Sequence, residues 1–282
     1  FAQLEDMPAI VIEEPPRPAL PRRGREPTSM QDEIQLAASI CSESRRAVVS
    51  MFNEARMGKA VDSGNARKLV EEISDSVTRN PGALISLARL KTADDYTYMH
   101  SVAVCALMIS LGRQIGVDEN TIPRLGIAGL LHDLGKAMMP QDVLNKPGKL
   151  TDEEFAIMRK HPAAGVLILQ ESVIAPSVLD VCQNHHARID GTGYPLPHKG
   201  NEISLYSRMA AVCDVYDAIS SGRPYKAAWD PAESMRKMAE WSPTHFDPIV
   251  FHAFVKSIGI YSIGSLVRLR SAHAAPESVQ IT

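Results

Sequence analysis

The sequence lacks an excess of charge of either sign and lacks long hydrophobic runs. Its 30 lysines and arginines nearly balance 33 aspartates and glutamates, for a net charge of -3. It therefore lacks the basic surplus with which proteins bind nucleic-acid phosphates, and we expect no polymeric nucleic acid as a partner. The longest nearly apolar run, residues 102–112, is shorter than the roughly 20 residues of a membrane-spanning helix, so we expect no direct insertion into a membrane.

Cysteine is also scarce. The four cysteines are far apart and lie among apolar neighbours (Cys41, Cys105, Cys182 and Cys213), which indicates reduced core thiols and a reducing compartment, the cytoplasm. No signal-peptide pattern opens the chain. Its first residue is Phe1 rather than Met, so an upstream sensory or targeting segment would lie outside this sequence.

Strand signals are nearly absent, and 265–270 is the only strand that we predict. Residues 1–29 are rich in proline and charge, a composition that predicts a linker or arm. From Met30 onward, apolar residues recur at helical spacing. After this first helix, the predicted helices cover 62–79, 82–90, 94–115, 121–133, 151–170, a segment starting near Pro176, 203–220 and 247–258. The sequence thus predicts an all-α bundle.

Five histidines and two aspartates can converge in such a bundle. Both aspartates lie in apolar helical segments, where an unpaired carboxylate is costly and metal coordination would satisfy it. Imidazole and carboxylate ligands suit Fe, Mn, Ni or Zn, and a carboxylate can bridge two cations. Any one of these side chains alone could instead be a hydrogen-bonded core histidine or a helix-terminal carboxylate. The seven residues are His100, His132, Asp133, His161, His185, His186 and Asp214.

Four motifs carry a resemblance to a known family: HDLGK at 132–136, HPAAG at 161–165, HHARIDGTGYP at 185–195 and RPYK at 223–226. Together they resemble the HD-GYP family, the bacterial phosphodiesterases of cyclic di-GMP within the HD phosphohydrolase superfamily. The resemblance implies a helical HD-domain bundle with two or three metal ions, which hydrolyses cyclic di-GMP to pGpG and in some members onward to GMP.

On this resemblance the chain divides into four parts. They are a linker or arm at 1–29, an N-terminal helical segment at 30–92, the HD-GYP catalytic core at 93–260 and a C-terminal tail at 261–282. The N-terminal helices carry no catalytic residue that we can identify. They can form a homodimer or relay a signal, or they can simply cap the core. Diguanylate cyclases and PilZ-type proteins are the signalling partners that the family implies.

The resemblance also assigns roles to single residues. All seven histidines and aspartates would be metal ligands, with Asp133 as the bridge, and Fe or Mn would be bound in preference to Ni or Zn. Lys136 would act with Asp133 in catalysis, and Tyr194, Arg223, Lys226 and Lys136 would contact the substrate. Each of these substrate contacts has an alternative interpretation. Lys136 and Lys226 could be solvated lysines, Arg223 could pair with Asp217, and Tyr194 could anchor its loop.

The implied chemistry is metal-assisted hydrolysis of a phosphodiester, in which the metals activate the attacking water and neutralise charge on the phosphoryl oxygens. The sequence departs from the family pattern at two places. Ala187 replaces the glutamate of an HHE motif, which removes a carboxylate that could orient the paired histidines. Tyr96, four residues before His100, stands where some members carry a glutamate for a third metal. We therefore expect two metal ions per chain.

Two other functions stay open at this point. Ala187 is compatible with a degenerate receptor that binds cyclic di-GMP, or a partner protein, and works by interaction. The metal ligands alone would also suit an HD-type hydrolase of another cyclic dinucleotide or of a mononucleotide. The glycine-rich loop at 188–200 argues against that third reading.

Overall fold

The computed structural model describes residues 26–91, 96–222 and 228–259, together with the backbone of two short strands at 266–269 and 277–280. Apart from these strands, the regular elements of the described chain are helices, and the prediction of an all-α fold is confirmed. Its α-helices are α1 (Met30–Arg56), α2 (Ser63–Arg79), α3 (Pro81–Arg89), α4 (Tyr96–Ile115), α5 (Ile122–Leu131), α6 (Gln141–Leu144), α7 (Asp152–Met158), α8 (His161–Gln170), α9 (Pro176–Asn184), α10 (Leu205–Ser220), α11 (Pro231–His245) and α12 (Pro248–Ile258).

Shorter elements complete the described chain. Two 3-10 helices cover Leu134–Met138 and Gly200–Glu202. Strand β1 (Leu266–Leu269) lies within the predicted strand at 265–270, and it pairs antiparallel with β2 (Glu277–Gln280), which we did not predict.

Side-chain caps set where several helices begin. The Asp62 carboxylate accepts from the backbone N–H groups of Gly64 and Asn65, and so begins α2. At α7, the Thr151 hydroxyl accepts from the Glu154 N–H while the Glu154 carboxylate accepts from the Thr151 N–H. Such contacts satisfy N–H groups that have no partner within the helix, so these starts lie within a residue of the predicted ones.

The prediction of one helix over 151–170 is wrong, because the chain forms α7 and α8 with a break at 159–160. Pro162 has no N–H to donate to the carbonyl of Met158 four residues earlier. The His161 ring takes over that acceptor, with Nδ1 2.8 Å from the Met158 oxygen. The break therefore ends one helix and at the same time orients a histidine.

Helix α4 forms the centre of the bundle and is buried along most of its length, from Met99 to Gly112. It packs against α1, α3, α5, α10 and α12, which explains why it is apolar on all faces. Gly129 lets α5 approach closely, since a Cβ there would lie 2.9 Å from the Cys105 Cα. This contact between helix backbones brings the histidines of α4 and α5 together.

The N-terminal helices α1–α3 share one hydrophobic cluster with the later helices. The contact between α1 and α2 is polar and buried. Glu33 on α1 is 1% exposed, and its carboxylate accepts hydrogen bonds from Arg79 at 2.7 and 2.9 Å and from Ser76 at 2.7 Å. The predicted boundary between this segment and the core falls in 92–95, outside the described residues, so the division stays a prediction.

All four cysteines are buried as free thiols, as their apolar neighbours predict. A search of the described residues for a helix long and apolar enough to cross a membrane finds none.

Candidate metal centre

Five helices bring the seven predicted ligands to one place. His100 lies in the second turn of α4, while His132 and Asp133 directly follow α5. His161 begins α8, His185 and His186 follow α9, and Asp214 lies within α10. The side chains form two groups, and within each group one ligand atom per residue lies within 4.8 Å of the others. The first group is Asp133, His161, His185 and His186, and the second is His100, His132 and Asp214.

Asp133 lies between the two groups. Its Oδ1 is 3.2 Å from His161 Nε2 and 3.7 Å from His185 Nε2. Its Oδ2 is 3.4 Å from His132 Nε2 and 3.6 Å from His100 Nε2. Because each oxygen faces a different set of imidazoles, the carboxylate has the arrangement needed to bridge two cations.

Backbone carbonyls fix the orientation of three imidazoles. The Nδ1 atom of His132 donates to Gly129 O at 2.8 Å. Likewise, Nδ1 of His161 donates to Met158 O at 2.8 Å, and Nδ1 of His185 donates to Cys182 O at 3.0 Å. A carbonyl oxygen only accepts, so the proton lies on Nδ1 and the Nε2 lone pair faces the cluster. This is the tautomer that a metal ligand needs.

Two buried polar atoms in the cluster have no hydrogen-bond partner, His132 Nε2 and Asp133 Oδ1. Buried polar atoms without partners are rare because desolvation is costly. Both atoms are electron-pair donors, so they cannot form a hydrogen bond with each other. A cation would satisfy both. The buried His/Asp cluster therefore fits divalent metal ions.

The protonation of His185, His186 and Asp133 also suits metal binding. Burial lowers the pKa of His185 well below its ordinary value and that of His186 to about 3. Burial alone would raise the pKa of the Asp133 carboxyl, but Lys136 and His132 outweigh it and hold that pKa well below its usual range. Neutral imidazoles beside an ionised carboxylate are the forms that coordinate metal.

The predicted substrate contacts are only partly described. The Lys136 ammonium is ion-paired with Asp133 Oδ2, so Lys136 is not a solvated surface lysine. The Tyr194 ring stacks on the His186 ring at 4.6 Å, which places it beside the cluster. Arg223 and Lys226 lie outside the described residues.

Sequence reasoning missed two residues that contact Tyr194. They are Phe155, in α7, and Arg159, which directly follows this helix. The Arg159 guanidinium lies 4.8 Å from the centre of the Tyr194 ring, and the Phe155 ring meets the same ring edge-on at 6.1 Å. Phe155 is 45% exposed. The signal available in the sequence was an aromatic residue one helical turn before an arginine.

Asp217 and Lys91 were missed as parts of the cluster. Asp217 lies three residues after Asp214, on the same face of α10, and we considered it only as a partner for Arg223. It contacts the imidazole of His100 and the ammonium of Lys91. The spacing from Asp214 was the signal for Asp217, whereas Lys91 is distant in sequence and had none.

The two departures from the family pattern lie next to the ligands. The Tyr96 ring is stacked parallel to the His100 ring, 5.9 Å away. Ala187 is 5% exposed and lies under the loop that follows it, with its Cα 2.7 Å from the place where a Cβ on Gly193 would lie. Ala187 is therefore buried, and the lack of a side chain at Gly193 lets the loop approach it closely.

The clustered residues lie within a segment that matches a known family. The profile of the HD domain matches residues 72–250, a range that contains all seven clustered residues. The chain belongs to the HD domain family. A solved structure of an HDG"Y"P protein from Bdellovibrio bacteriovorus superposes on this HD domain protein with a TM-score of 0.64, at 17% sequence identity, over 83% of this chain and 74% of the other. The prediction of an HD-domain fold is confirmed.

Two curated relatives carry names that describe an activity. A cyclic di-GMP phosphodiesterase of Pseudomonas aeruginosa is 56% identical over 255 residues, which cover 90% of this chain and 61% of the relative. The 3′3′-cGAMP-specific phosphodiesterase 1 of Vibrio cholerae is 34% identical over 57% of this chain and 38% of its own length. This HD domain protein thus spans about three fifths or less of these relatives.

Proposed function

We propose that this protein is a metal-dependent phosphodiesterase that hydrolyses cyclic di-GMP to pGpG, and chromatography of the products decides whether pGpG is cleaved onward to GMP. The observation that carries the proposal is the position of Asp133, whose two oxygens face separate sets of imidazoles. Cyclic di-GMP is favoured over 3′3′-cGAMP because the Pseudomonas aeruginosa relative, at 56% identity, carries the former name.

Two divalent ions per chain would occupy the cluster, Fe or Mn in preference to Ni or Zn. One would be held by His161, His185 and His186, and the other by His100, His132 and Asp214, with Asp133 shared. Tyr96 supports a count of two, since a phenol with an ordinary pKa near 10 is a poor ligand at neutral pH compared with a carboxylate.

When bound, the two ions lower the pKa of water and neutralise negative charge on a phosphoryl group. The chain's own residues bind and orient the substrate. The Lys136 ammonium, beside Asp133, places a positive charge at the edge of the cluster, where it would bind a phosphate oxygen. Tyr194, held by His186 and Arg159, would form one wall of the substrate site, and Arg223 and Lys226 would contact the phosphates.

The proposal is tested by elemental analysis of anaerobically purified protein and by chromatography of its reaction with cyclic di-GMP. We expect two metal ions per chain and the appearance of pGpG, with slower turnover of 3′3′-cGAMP. Metal-loaded protein that leaves cyclic di-GMP intact would contradict the function. A third fully occupied site would contradict the metal count.

A second candidate, a weakly active or inactive protein that binds cyclic di-GMP and regulates partners, is favoured by Ala187. The proposed partners are diguanylate cyclases or PilZ-type proteins.

A homodimer through the N-terminal helices is also proposed, and the exposed Ile34 and Leu36 on α1 support it.

Ala187→Glu separates the two candidates. If the missing carboxylate limits metal affinity, the glutamate should raise activity at limiting metal by about 10-fold, the lower end of such effects. Ala187→Gln, similar in size but uncharged, is the control for the tight packing at this position. Activity that stays unchanged by glutamate at every metal concentration would show that alanine is merely tolerated.

Arg223→Ala and Lys226→Ala should weaken substrate binding without releasing metal. A hydrogen bond to a charged group contributes about 1.5–3 kcal/mol, so we expect KM for cyclic di-GMP to rise by roughly 10- to 100-fold. Lys237→Ala, on α11, is the control. A loss of metal from either variant would be the result that contradicts this assignment.

A further inference from the structure

A buried ion pair lies behind the cluster, on the side of His100 that faces away from the other ligands. The side chains of Lys91 and Asp217 are both 0% exposed and in direct contact. Lys91 Nζ also donates to Ser221 Oγ at 3.1 Å, and Ser221 Oγ donates to Asp217 Oδ1 at 3.1 Å. Lys91 follows α3, whereas Asp217 and Ser221 belong to α10 and its end, so the pair joins the N-terminal helices to the core.

Asp217 holds His100 in a way that differs from the other oriented imidazoles. His100 Nδ1 lies 2.6 Å from Asp217 Oδ2, whereas His132, His161 and His185 donate to backbone carbonyls. A carboxylate acceptor fixes the proton on Nδ1 and makes the opposite nitrogen a stronger electron-pair donor than a carbonyl does. That nitrogen, His100 Nε2, lies 2.9 Å from Asp214 Oδ1, its neighbour in the second group of proposed ligands.

Lys91 explains how a third carboxylate can be buried next to two others. Asp133, Asp214 and Asp217 all lie within 4 Å of the His100 ring nitrogens. A buried carboxylate requires a counter-charge, and the Lys91 ammonium supplies one at Asp217 Oδ2, the same oxygen that lies against His100 Nδ1. With Lys91 in place, Asp217 keeps its orientation toward the ring.

We propose that Asp217 and Lys91 are positioning residues for His100, and that the N-terminal helices thereby complete the support of the metal centre. Asp217 orients the imidazole, and Lys91 holds Asp217. The inference rests on the metal-binding role proposed above for His100. Since Lys91 comes from the segment after α3, a displacement of the N-terminal helices would reach His100 through Lys91 and Asp217.

The alternative is an ion pair that only fastens α3 to α10. A double variant separates the two roles, because replacing both partners of a buried ion pair by neutral side chains restores stability that single replacements lose. The variants are Asp217→Asn, Lys91→Met and the two combined, with Lys91→Arg as the conservative replacement. Lys68→Met, at an exposed lysine of α2, is the control.

The experiment measures Mn²⁺ affinity by chelator competition, the Tm of each metal-free protein, and kcat and KM for cyclic di-GMP at saturating Mn²⁺. We expect Asp217→Asn and Lys91→Met to weaken Mn²⁺ binding by about 10- to 100-fold. KM should stay unchanged, because neither residue faces the substrate side. The double variant should regain Tm but not Mn²⁺ affinity, and Lys91→Arg should retain both.

Two outcomes overturn the inference. A double variant that regains Mn²⁺ affinity together with Tm would show a purely structural ion pair, and so would folded single variants that bind two Mn²⁺ ions as tightly as the unmodified protein. In both cases the proposed phosphodiesterase function stands. An unmodified protein that binds no Mn²⁺, Fe²⁺, Ni²⁺ or Zn²⁺ would instead overturn that function, and this inference with it.

Discussion

Asp133→Ala is expected to release both metal ions and to lower phosphodiesterase turnover by about 1000-fold or more. Each oxygen of this carboxylate faces one of the two groups of imidazoles, so its removal would take a ligand from both of the proposed ions at once. Metal ions contribute several kcal/mol of charge stabilisation in the transition state, and each 1.36 kcal/mol corresponds to a factor of ten in rate.

His132→Ala provides a graded comparison, because it removes a ligand from the second group alone. We expect it to lose the ion near His100 and Asp214 first and to retain the other ion at high metal concentration. Asp142→Asn, at an exposed carboxylate of α6, is the control. Elemental analysis and turnover of cyclic di-GMP are the measurements. Full metal content with normal turnover in Asp133→Ala would show that the cluster is not the catalytic centre.

The clustering of the seven ligand candidates could be predicted because each is a polar residue at a place that sequence chemistry makes conspicuous. Asp214 lies within an apolar helix, and His132 and Asp133 end one. The structure brings all seven together, and their roles as ligands stay a prediction. The contact between Asp217 and Lys91 was not predicted because it spans 126 positions. No local pattern specifies which buried charges meet across such a distance.

Helix α11 shows a second limit. The predicted helices leave out the segment 231–245, which contains Pro243, and a proline within a helix removes a backbone hydrogen bond. The structure forms α11 across it. Asp230 accepts from the Ala232 and Glu233 N–H groups at the start, and Met235 and Met238 are buried. Tertiary packing and a strong cap outweigh the proline in this case.

Gly135→Ala is expected to destabilise the protein by about 3 kcal/mol and to release metal. Gly135, in the 3-10 helix after the HD pair, lies against the backbone of α8. A Cβ at this position would be 1.9 Å from the His161 carbonyl oxygen and 2.4 Å from the Gly165 nitrogen. Neither atom belongs to a flexible side chain, so α8 must move as a unit, and overpacking of this kind costs about 1–3 kcal/mol or more.

The displacement of α8 carries His161 with it, which is why a methyl group should affect the metal centre as well as the stability. Urea unfolding gives the stability change, and elemental analysis gives the metal content. Gly222→Ala is the matched control for stability, because a Cβ there meets no atom of the described residues within 4 Å. Since α8 supplies His161 to the first group alone, metal near His185 and His186 should be lost before metal near His100. A Gly135→Ala protein with unchanged stability and two bound ions would show that α8 can shift without disturbing its histidine, and the close contact between these two backbones would then not be what sets the geometry of the cluster.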